Sequence, residues 1–531
     1  MQIPASPQMS TRDPASSPPD TGAVRERAWL GYPRGAWLII SVEFWERFSF
    51  YGMLAILALF LTDDVAHGGF GWSSNSALAL VGAYSGAMYA LPAFGGYLAD
   101  RVLGRRRAVA LGASCMLIGQ CLTASPAYLP ALLGLWHGRP LTGSLRSLGV
   151  PLGQLHRSAE VSAAIRAHGP SLDVAHGASW LSDAYTASAM GFYAALFFLI
   201  VGNAVMKSTL VVLCGETFRQ DDPRREGAFA YYYLGISVGA MLSGVVVGIA
   251  SERYGWPYGF AVGAFGMAIA LGLYLTLGRR WLEGIGERAP HADDGPRGSA
   301  ARRATDEAGG PAAAETRIRC LLVLILAVLM CIFSTGWFQM YGSWLLFIDR
   351  SVNRSIGSLV VLTPWFASIN AIVVILVAPI VAALWVRLAA RNKTVDIVQK
   401  YFFAITMAMA ANVLMYFAGT LAGQGARAPI WMPLLGVALL GCGEIVAWTA
   451  TYGFVTRAAP AGLASVTMGA WYLLTLGLGG YLSGVTGKWV DSVGFTATFA
   501  IIAAAMGVGA CAALVLRAPL IRLAARAHVE L

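Results

Sequence analysis

Residues 36–62 read AWLIISVEFWERFSFYGMLAILALFLT, an apolar stretch long enough to cross a membrane as one helix. Three ionisable residues, Glu43, Glu46 and Arg47, interrupt it near its middle. Glu43 and Arg47 are four residues apart, so on a helix they share one face. Each ionised side chain near the bilayer centre costs roughly 2.5–3.5 kcal/mol on insertion scales. The stretch therefore predicts a transmembrane helix whose charges face a cavity and neutralise one another.

The rest of the chain has the composition of an all-α membrane protein. Of its 531 residues, 57% are apolar and 12% are charged, and the mean hydropathy is +0.61. A soluble domain is about 45–50% apolar and about 25% charged, so soluble, disordered and disulfide-scaffold classes are excluded. We predict twelve transmembrane spans from the apolar windows. These windows are 36–62, 79–98, 107–124, 187–213, 228–251, 257–278, 320–348, 358–386, 402–422, 430–456, 463–487 and 494–516.

A polar stretch separates the first six windows from the last six, which predicts two six-helix bundles joined by a linker. Basic residues are concentrated in alternate loops, so the positive-inside rule assigns both termini and the linker to the cytoplasm. The Arg-rich, Lys-poor composition indicates a bacterial protein of the inner membrane. The predicted units are a disordered N-terminal tail (1–35), an N-terminal bundle (36–279) with an external insertion (125–186), a cytoplasmic linker (280–319), a C-terminal bundle (320–517) and a cytoplasmic tail (518–531).

Two further charges fall inside predicted spans, Lys207 in the fourth and Glu444 in the tenth. Together with the three charges of the first span, Lys207 gives the N-terminal half a neutral set. Glu444 meets no opposing charge in the predicted C-terminal spans, so it is protonated, faces water or binds a cation from a substrate. The pattern favours a bipolar cavity for a zwitterion. The alternatives are an ion-pair network that only joins helices and a carboxyl group that is buried in its protonated form.

Other chemistry finds little support in the sequence. An enzyme is not predicted, because no HExxH, no GxSxG and no cluster of intramembrane histidines occurs. No metal site is predicted either, because the histidines of the insertion fit no ligand spacing. The net charge of +10 is attributed to cytoplasmic loops and not to nucleic-acid binding. The four histidines concerned are His137, His156, His168 and His176.

Motifs in both halves, in the same order, give the chain a family resemblance. The run from Glu43 to Phe48, followed by Tyr51 and Gly52, resembles the ExxERF…YG motif of the proton-dependent oligopeptide transporter (POT) family within the major facilitator superfamily. The segment with Lys207 and the segment with Glu444 resemble that family's fourth and tenth spans. The other resembling segments are 95–107 (GGYLADRVLGRRR), 232–243 (YYLGISVGAMLS), 368–385 (SINAIVVILVAPIVAALW) and 468–484 (MGAWYLLTLGLGGYLSG).

The resemblance implies the major facilitator fold, with 12 transmembrane helices in two six-helix bundles around a central cavity. It also implies proton-coupled import of di- and tripeptides by alternating access, by a monomer in the lipid bilayer, with the proton gradient and no cofactor. The implied proton-coupling residues are Glu43, Glu46, Arg47 and Lys207. The implied substrate-binding residues are Arg47, Tyr51, Tyr89, Lys207, Asn370, Glu444 and Trp471. Which of the two span 1 carboxylates takes the proton stays open, because a coupled pair can share it.

A basic loop after the second span carries a conformational motif. Asp100 lies beside Arg105 and Arg106, where it can stabilise one conformation through ion pairs or a facing helix N-terminus. The alternative is that these charges serve only as a topology signal.

The chain departs from the family pattern in ways that leave the substrate open. Many members have an Arg where Leu54 stands, and an acid where the seventh span reads Phe338-Gln339. The insertion 125–186 is also foreign to the family. The alternatives are therefore a transporter of a modified peptide, a peptidoglycan fragment or another organic anion, and a peptide sensor with the insertion as its receptor. Three more departures are Phe50, Ser208-Thr209 and Ser237.

Overall fold

The computed structural model describes residues 28–64, 67–136, 175–218, 222, 224–286, 311–391, 393, 395–459 and 464–529. Eleven helices within these ranges are long and apolar enough to cross a membrane. They correspond to predicted spans 1 to 10 and 12. The helices of spans 1 to 6 are Arg34–Thr62, Ser74–Ala90 continued by Pro92–Leu98 and the π-turn Ala99–Leu103, Arg105–Trp136, Ala175–Glu216, Arg224–Tyr254 and Trp256–Trp281.

The second half follows the same plan with two broken spans. Span 7 breaks at a 3₁₀ turn, and the run predicted as span 11 consists of three short helical segments, so its crossing of the membrane stays a prediction. The helices of spans 7 to 12 are Pro311–Phe338 with the turn Gln339–Tyr341 and Ser343–Ser351, Trp365–Ala390, Ile397–Gly423, Trp431–Ala458, Ala464–Tyr472 with the π-turn Leu473–Gly477 and Leu478–Gly487, and Val490–Arg526. Short strands pair Val352–Asn353 with Ala428–Pro429 and Ser355–Ile356 with Leu359–Val360.

The helices extend beyond the apolar windows that predicted them. Span 7 begins at Pro311, inside the predicted linker, and span 12 continues to Arg526, inside the predicted C-terminal tail. Spans 3 and 4 reach Trp136 and Ala175, inside the predicted insertion. Hydropathy marks only the apolar part of a helix, whereas Ala, Arg and Glu continue a helix in water. The remainder of the predicted tail, insertion and linker, at 1–27, 137–174 and 287–310, lies outside the described residues.

The last residues of the predicted N-terminal tail form an ordered hairpin before span 1. Strand Ala28–Trp29 pairs with Tyr32–Pro33, and span 1 begins at Arg34. Arg224 at the start of span 5 donates from Nη1 to the Gly31 carbonyl at 3.0 Å. The side-chain and backbone hydrogen bonds that Arg224 donates to Asp222 lower the pKa of that carboxyl. The hairpin is thus fixed to the base of the N-terminal half by contacts that hydropathy does not detect.

Spans 2 and 11 meet at glycines, and this contact joins the two halves. A Cβ atom on Gly82 would lie 2.4 Å from the Gly484 Cα. At the same end of the molecule, Asp491 Oδ2 accepts from the Asn75 backbone N at 2.7 Å. Arg350 Nη1 donates to Ser74 Oγ at 3.0 Å. The halves are therefore closed against each other at the end opposite the basic loops.

We expect Gly82→Ala to impair transport more than it impairs folding. The added methyl group overlaps backbone across the two halves, and overpacking typically costs about 1–3 kcal/mol. The alternating access that the family resemblance implies would break and remake this contact, so the closed state would bear the whole cost. Transport rate and thermal unfolding, measured on the same preparation, check this. Gly191→Ala is the matched control, because a Cβ atom added there would meet no atom of the described residues within 4 Å. An equal loss of transport rate in both variants would contradict the prediction.

Candidate functional site

The span 1 charges form a buried triad, as their spacing predicts. Glu43, Glu46 and Arg47 are 1%, 1% and 2% exposed. Arg47 Nη2 donates to Glu46 Oε1 at 2.7 Å, and Arg47 Nε pairs with Glu46 Oε2 and lies 3.3 Å from Glu43 Oε1. Two carboxylates thus share one guanidinium, and the triad carries one negative charge when both are ionised. The geometry differs between the two acids, since Glu46 is bound by both its oxygens and Glu43 by one.

Span 4 holds the triad in place through Asn203. Its Oδ1 lies 3.5 Å from Arg47 Nη2, and its Nδ2 donates to the Met88 carbonyl of span 2 at 2.7 Å. One amide therefore connects spans 1, 2 and 4 around the guanidinium. In the sequence, Asn203 is part of the span 4 segment that resembles the family, but no role was assigned to it, although an Asn one helical turn before an intramembrane Lys was a usable signal.

Lys207 faces an aromatic ring. Its Nζ lies 4.6 Å from the centroid of the Tyr89 ring, a distance at which a cation is attracted to the ring face. Within the ranges that the structure describes, its ammonium forms no ion pair with the triad, whose carboxylates contact Arg47. Lys207 and Tyr89, two of the predicted substrate-binding residues, are thus neighbours, and the ammonium is not bonded directly to either carboxylate.

In the C-terminal half, Glu444 has a partner that the sequence did not reveal. Trp337 of span 7 donates from its indole Nε1 to Glu444 Oε2 at 2.8 Å. The sequence predicted that Glu444 meets no opposing charge in the C-terminal spans, and it did not identify this hydrogen-bond partner. The indole N–H is a neutral donor, however, so it orients the carboxylate without cancelling its charge. A tryptophan in an apolar span needs a partner for its N–H, which was the available signal.

Two other predicted residues of this half have polar atoms without partners. Asn370 is 4% exposed, and its Nδ2 makes no hydrogen bond within the described part of the chain. The same is true of the indole nitrogen of Trp471, a fully buried residue. Its ring lies 6.5 Å from the ring of Phe454, ten residues after Glu444 on span 10. At 1.5 Å per residue that is about three helical turns away, so this contact does not bring Trp471 next to Glu444.

Aromatic residues of the two halves contact one another between the two charged regions. Tyr51 stacks on Tyr341 of span 7, with ring centroids 6.1 Å apart. Tyr89 meets Phe338 edge to face at 5.9 Å, and Tyr341 also contacts Trp337 at 5.4 Å. The predicted residues Tyr51 and Tyr89 are therefore joined by three residues of span 7 that the sequence reading did not assign to the site.

The conformational motif is partly described. Asp100 lies in the π-turn Ala99–Leu103, and its side chain is outside the described residues. Arg105 pairs with Glu216 at the end of span 4. Arg106 Nη2 donates to the Gly278 carbonyl at 3.3 Å. The two arginines thus connect the loop to the ends of spans 4 and 6, within the N-terminal half.

This architecture is similar to that of known transporters. A family model described as POT family matches residues 106–289 and 312–506. An uncharacterized transporter, YclF, of Bacillus subtilis is 24% identical over 490 residues, 85% of this chain and 87% of that one. Peptide transporter YePEPT of Yersinia enterocolitica is 25% identical, covering 88% and 89%. A crystal structure of peptide transporter POT in complex with sulfate gives a TM-score of 0.75 at 22% identity, covering 94% and 97%. The structural likeness confirms the expected fold.

Proposed function

The chain belongs to the POT family, whose members are transporters and not enzymes, and on this premise we propose that it is a proton-coupled symporter importing di- and tripeptides. The observation that carries the proposal is the pair of opposed charged regions. Arg47 and Lys207 belong to one half, and Glu444 belongs to the other. A peptide zwitterion matches this pattern, with its carboxylate toward Lys207 and its ammonium toward Glu444. Asn370 on span 8 lies beside Glu444, and its amide oxygen can accept from the same ammonium, so it completes the proposed amino-terminal region.

The proposed coupling follows from the charge of the triad. With both carboxylates ionised, the triad is negative and attracts the ammonium of Lys207. Protonation of Glu43 or Glu46 makes the triad neutral and removes an attraction on the order of a few kcal/mol at an effective dielectric of about 20. Lys207 is then free to bind the substrate carboxylate. Proton and substrate thereby favour the same conformational state, which is what symport requires.

The setting proposed for this cycle is the bacterial inner membrane. The chain is an integral membrane protein, and we assign both termini and the basic loops to the cytoplasm by the positive-inside rule. The working unit is a monomer, the driving force is the proton gradient, and no cofactor takes part. Asp100, with Arg105 and Arg106, is proposed to stabilise one conformation of the N-terminal half.

A substrate screen in proteoliposomes tests the proposal. Purified protein is reconstituted, a proton gradient is imposed, and uptake is measured for dipeptides, tripeptides, modified peptides, peptidoglycan fragments and small organic anions. We expect accumulation of di- and tripeptides that collapses with a protonophore. Accumulation of another class alone would replace the substrate assignment, and binding of peptide without counterflow, the exchange of labelled for unlabelled substrate, would identify a sensor.

Lys207 offers a test of the coupling charge. We expect Lys207→Ala to abolish gradient-driven uptake and Lys207→Arg to retain a measurable fraction, because arginine keeps the charge in a different shape. The matched control is Lys488→Ala, which removes a lysine at the end of span 11. Gradient-driven uptake in proteoliposomes is the measurement. Wild-type uptake by Lys207→Ala would mean that this ammonium only packs on Tyr89.

A further inference from the structure

Gln339 occupies the break in span 7 and is completely buried. Its Nε2 donates to Thr486 Oγ1 at 2.8 Å and to the Ser483 carbonyl at 3.2 Å, both on span 11. A third acceptor, the Thr335 carbonyl, lies 3.4 Å away. Its Oε1 accepts from Ser343 Oγ at 2.6 Å. Both polar atoms of one amide are therefore bonded, and they connect the break in span 7 to span 11.

The residues on either side of this amide make the aromatic contact between the halves. Phe338 precedes Gln339 and meets Tyr89, and Tyr341 follows it and stacks on Tyr51. Phe338 ends the helix Pro311–Phe338, Tyr341 ends the 3₁₀ turn, and the helical backbone is interrupted at Gly342, which has φ −128° and ψ −103°. The direction of the Tyr341 ring consequently depends on how the turn is anchored, and Gln339, next to Phe338, is the residue of that turn bonded to span 11.

The bonds that Gln339 makes require a neutral donor. Two of its three acceptors are backbone carbonyls, which accept hydrogen bonds and never donate them. An ionised carboxylate at this position would face those carbonyls with no proton to offer, and burying an unpaired charge is strongly unfavourable. An amide meets the requirement at every pH at which the protein functions.

We propose that Gln339 is a positioning residue that sets the aromatic contact between the halves independently of pH, leaving proton sensitivity to the span 1 triad. The proposal rests on the proposed proton coupling. Within the described ranges, the hydrogen bonds of Gln339 go to Thr335, Ser343, Ser483 and Thr486, which carry no charge. The charged and titratable side chains on the elements around the turn are Glu315, Arg317, Arg319, Cys320, Cys331, Tyr341, Asp349 and Arg350 on span 7, Arg34, Tyr51 and the triad on span 1, Arg387 on span 8, and Tyr472 and Tyr481 on span 11.

The test is to make this position ionisable. Counterflow of a transported dipeptide is measured with equal pH on both sides of proteoliposomes, from about pH 5 to about pH 8.5, a range in which a buried carboxyl can titrate. Gln339→Glu and its Gln339 parent are compared in the wild-type and in the Glu46→Gln background. We expect Gln339→Glu to lose counterflow about tenfold or more at the high end relative to its parent, and to approach its parent at the low end, where it is protonated.

Three controls separate the possible causes. Gln339→Met removes the hydrogen bonds without adding a charge, so it should lower counterflow equally across the range. Gln424→Glu makes the same substitution at an exposed helix end and should have no effect. If too little Gln339→Glu protein is purified for counterflow, its thermal unfolding midpoint is measured against pH and compared with that of the parent. We then expect the stability of the variant to fall relative to the parent as pH rises, because the buried carboxyl ionises.

The outcomes distinguish this inference from the proposed function. The proposed role of Gln339 would be overturned if Gln339→Glu and its parent had the same pH profile. This would have to hold in both backgrounds, for counterflow and for thermal unfolding. Each Gln339→Glu variant is compared with a parent that has the same residue at position 46. A change caused by Glu46→Gln alone is therefore present in both and bears only on the proposed role of the triad.

Discussion

Replacing Glu46 with Gln should abolish gradient-driven accumulation while leaving counterflow. Glutamine resembles the protonated carboxyl in shape and charge but does not release a proton, so the variant can exchange substrate without completing a proton cycle. We expect accumulation to fall by about 100-fold or more, in line with loss of a residue whose charge change is required for coupling. Counterflow should stay within about tenfold of wild type, since one amide oxygen can still accept from Arg47.

The ratio of accumulation to counterflow is the measurement, because it cancels differences in the amount of active protein. Glu315→Gln is the matched control, since Glu315 also pairs with an arginine, Arg319, at 2.7 Å, but at a half-exposed helix surface. Exposed pairs are worth about 0–1 kcal/mol, so this variant should behave as wild type. Full accumulation by Glu46→Gln would remove Glu46 from the coupling role and leave Glu43, whose Oε2 has no partner within the described residues, as the candidate.

The sequence predicted the features that depend on local spacing. Glu43 and Arg47 lie one turn apart on a helix, and their burial in an apolar span required that they pair, as they do. The order of apolar windows and motifs likewise predicted the fold that the solved transporter structures confirm. In each case, burying charges or backbone polar groups in lipid is so costly that few structures are possible for the segment. The positions of charged and apolar residues in the sequence are then enough to predict which structure forms.

Partners distant in sequence were not predictable. Trp337 and Glu444 are 107 residues apart, and Gln339 reaches Thr486 across 147. Many aromatic or hydroxyl side chains could have met each group, and only the packing of spans 7, 10 and 11 selects among them. The break at Gln339–Tyr341 is similarly a tertiary effect, because span 7 reads as one continuous apolar window. Glu444 therefore looked unpaired in the sequence although it is oriented by an indole.

That orientation makes Glu444 the basis of the second large effect, on substrate polarity. A free α-amino group should contribute strongly to affinity, because an ammonium would supply the opposing charge that Trp337 does not. Losing a buried charged partner typically costs about 2–5 kcal/mol, so N-acetylated dipeptides should compete at least about tenfold less well than free ones. We expect Glu444→Ala to erase most of that difference. Competition against uptake of a labelled dipeptide is the measurement.

Trp337→Phe separates the charge of Glu444 from its orientation. It keeps an aromatic ring beside Tyr341 and removes the N–H donor, so it should narrow the preference for free peptides without abolishing it. Glu283→Ala, at an exposed turn after span 6, is the control for loss of a glutamate. Equal competition by free and acetylated peptides on the wild type would show that Glu444 does not bind an amino terminus. An organic anion would then be the better substrate, since Lys207 attracts a carboxylate whether or not an ammonium is present at the other end.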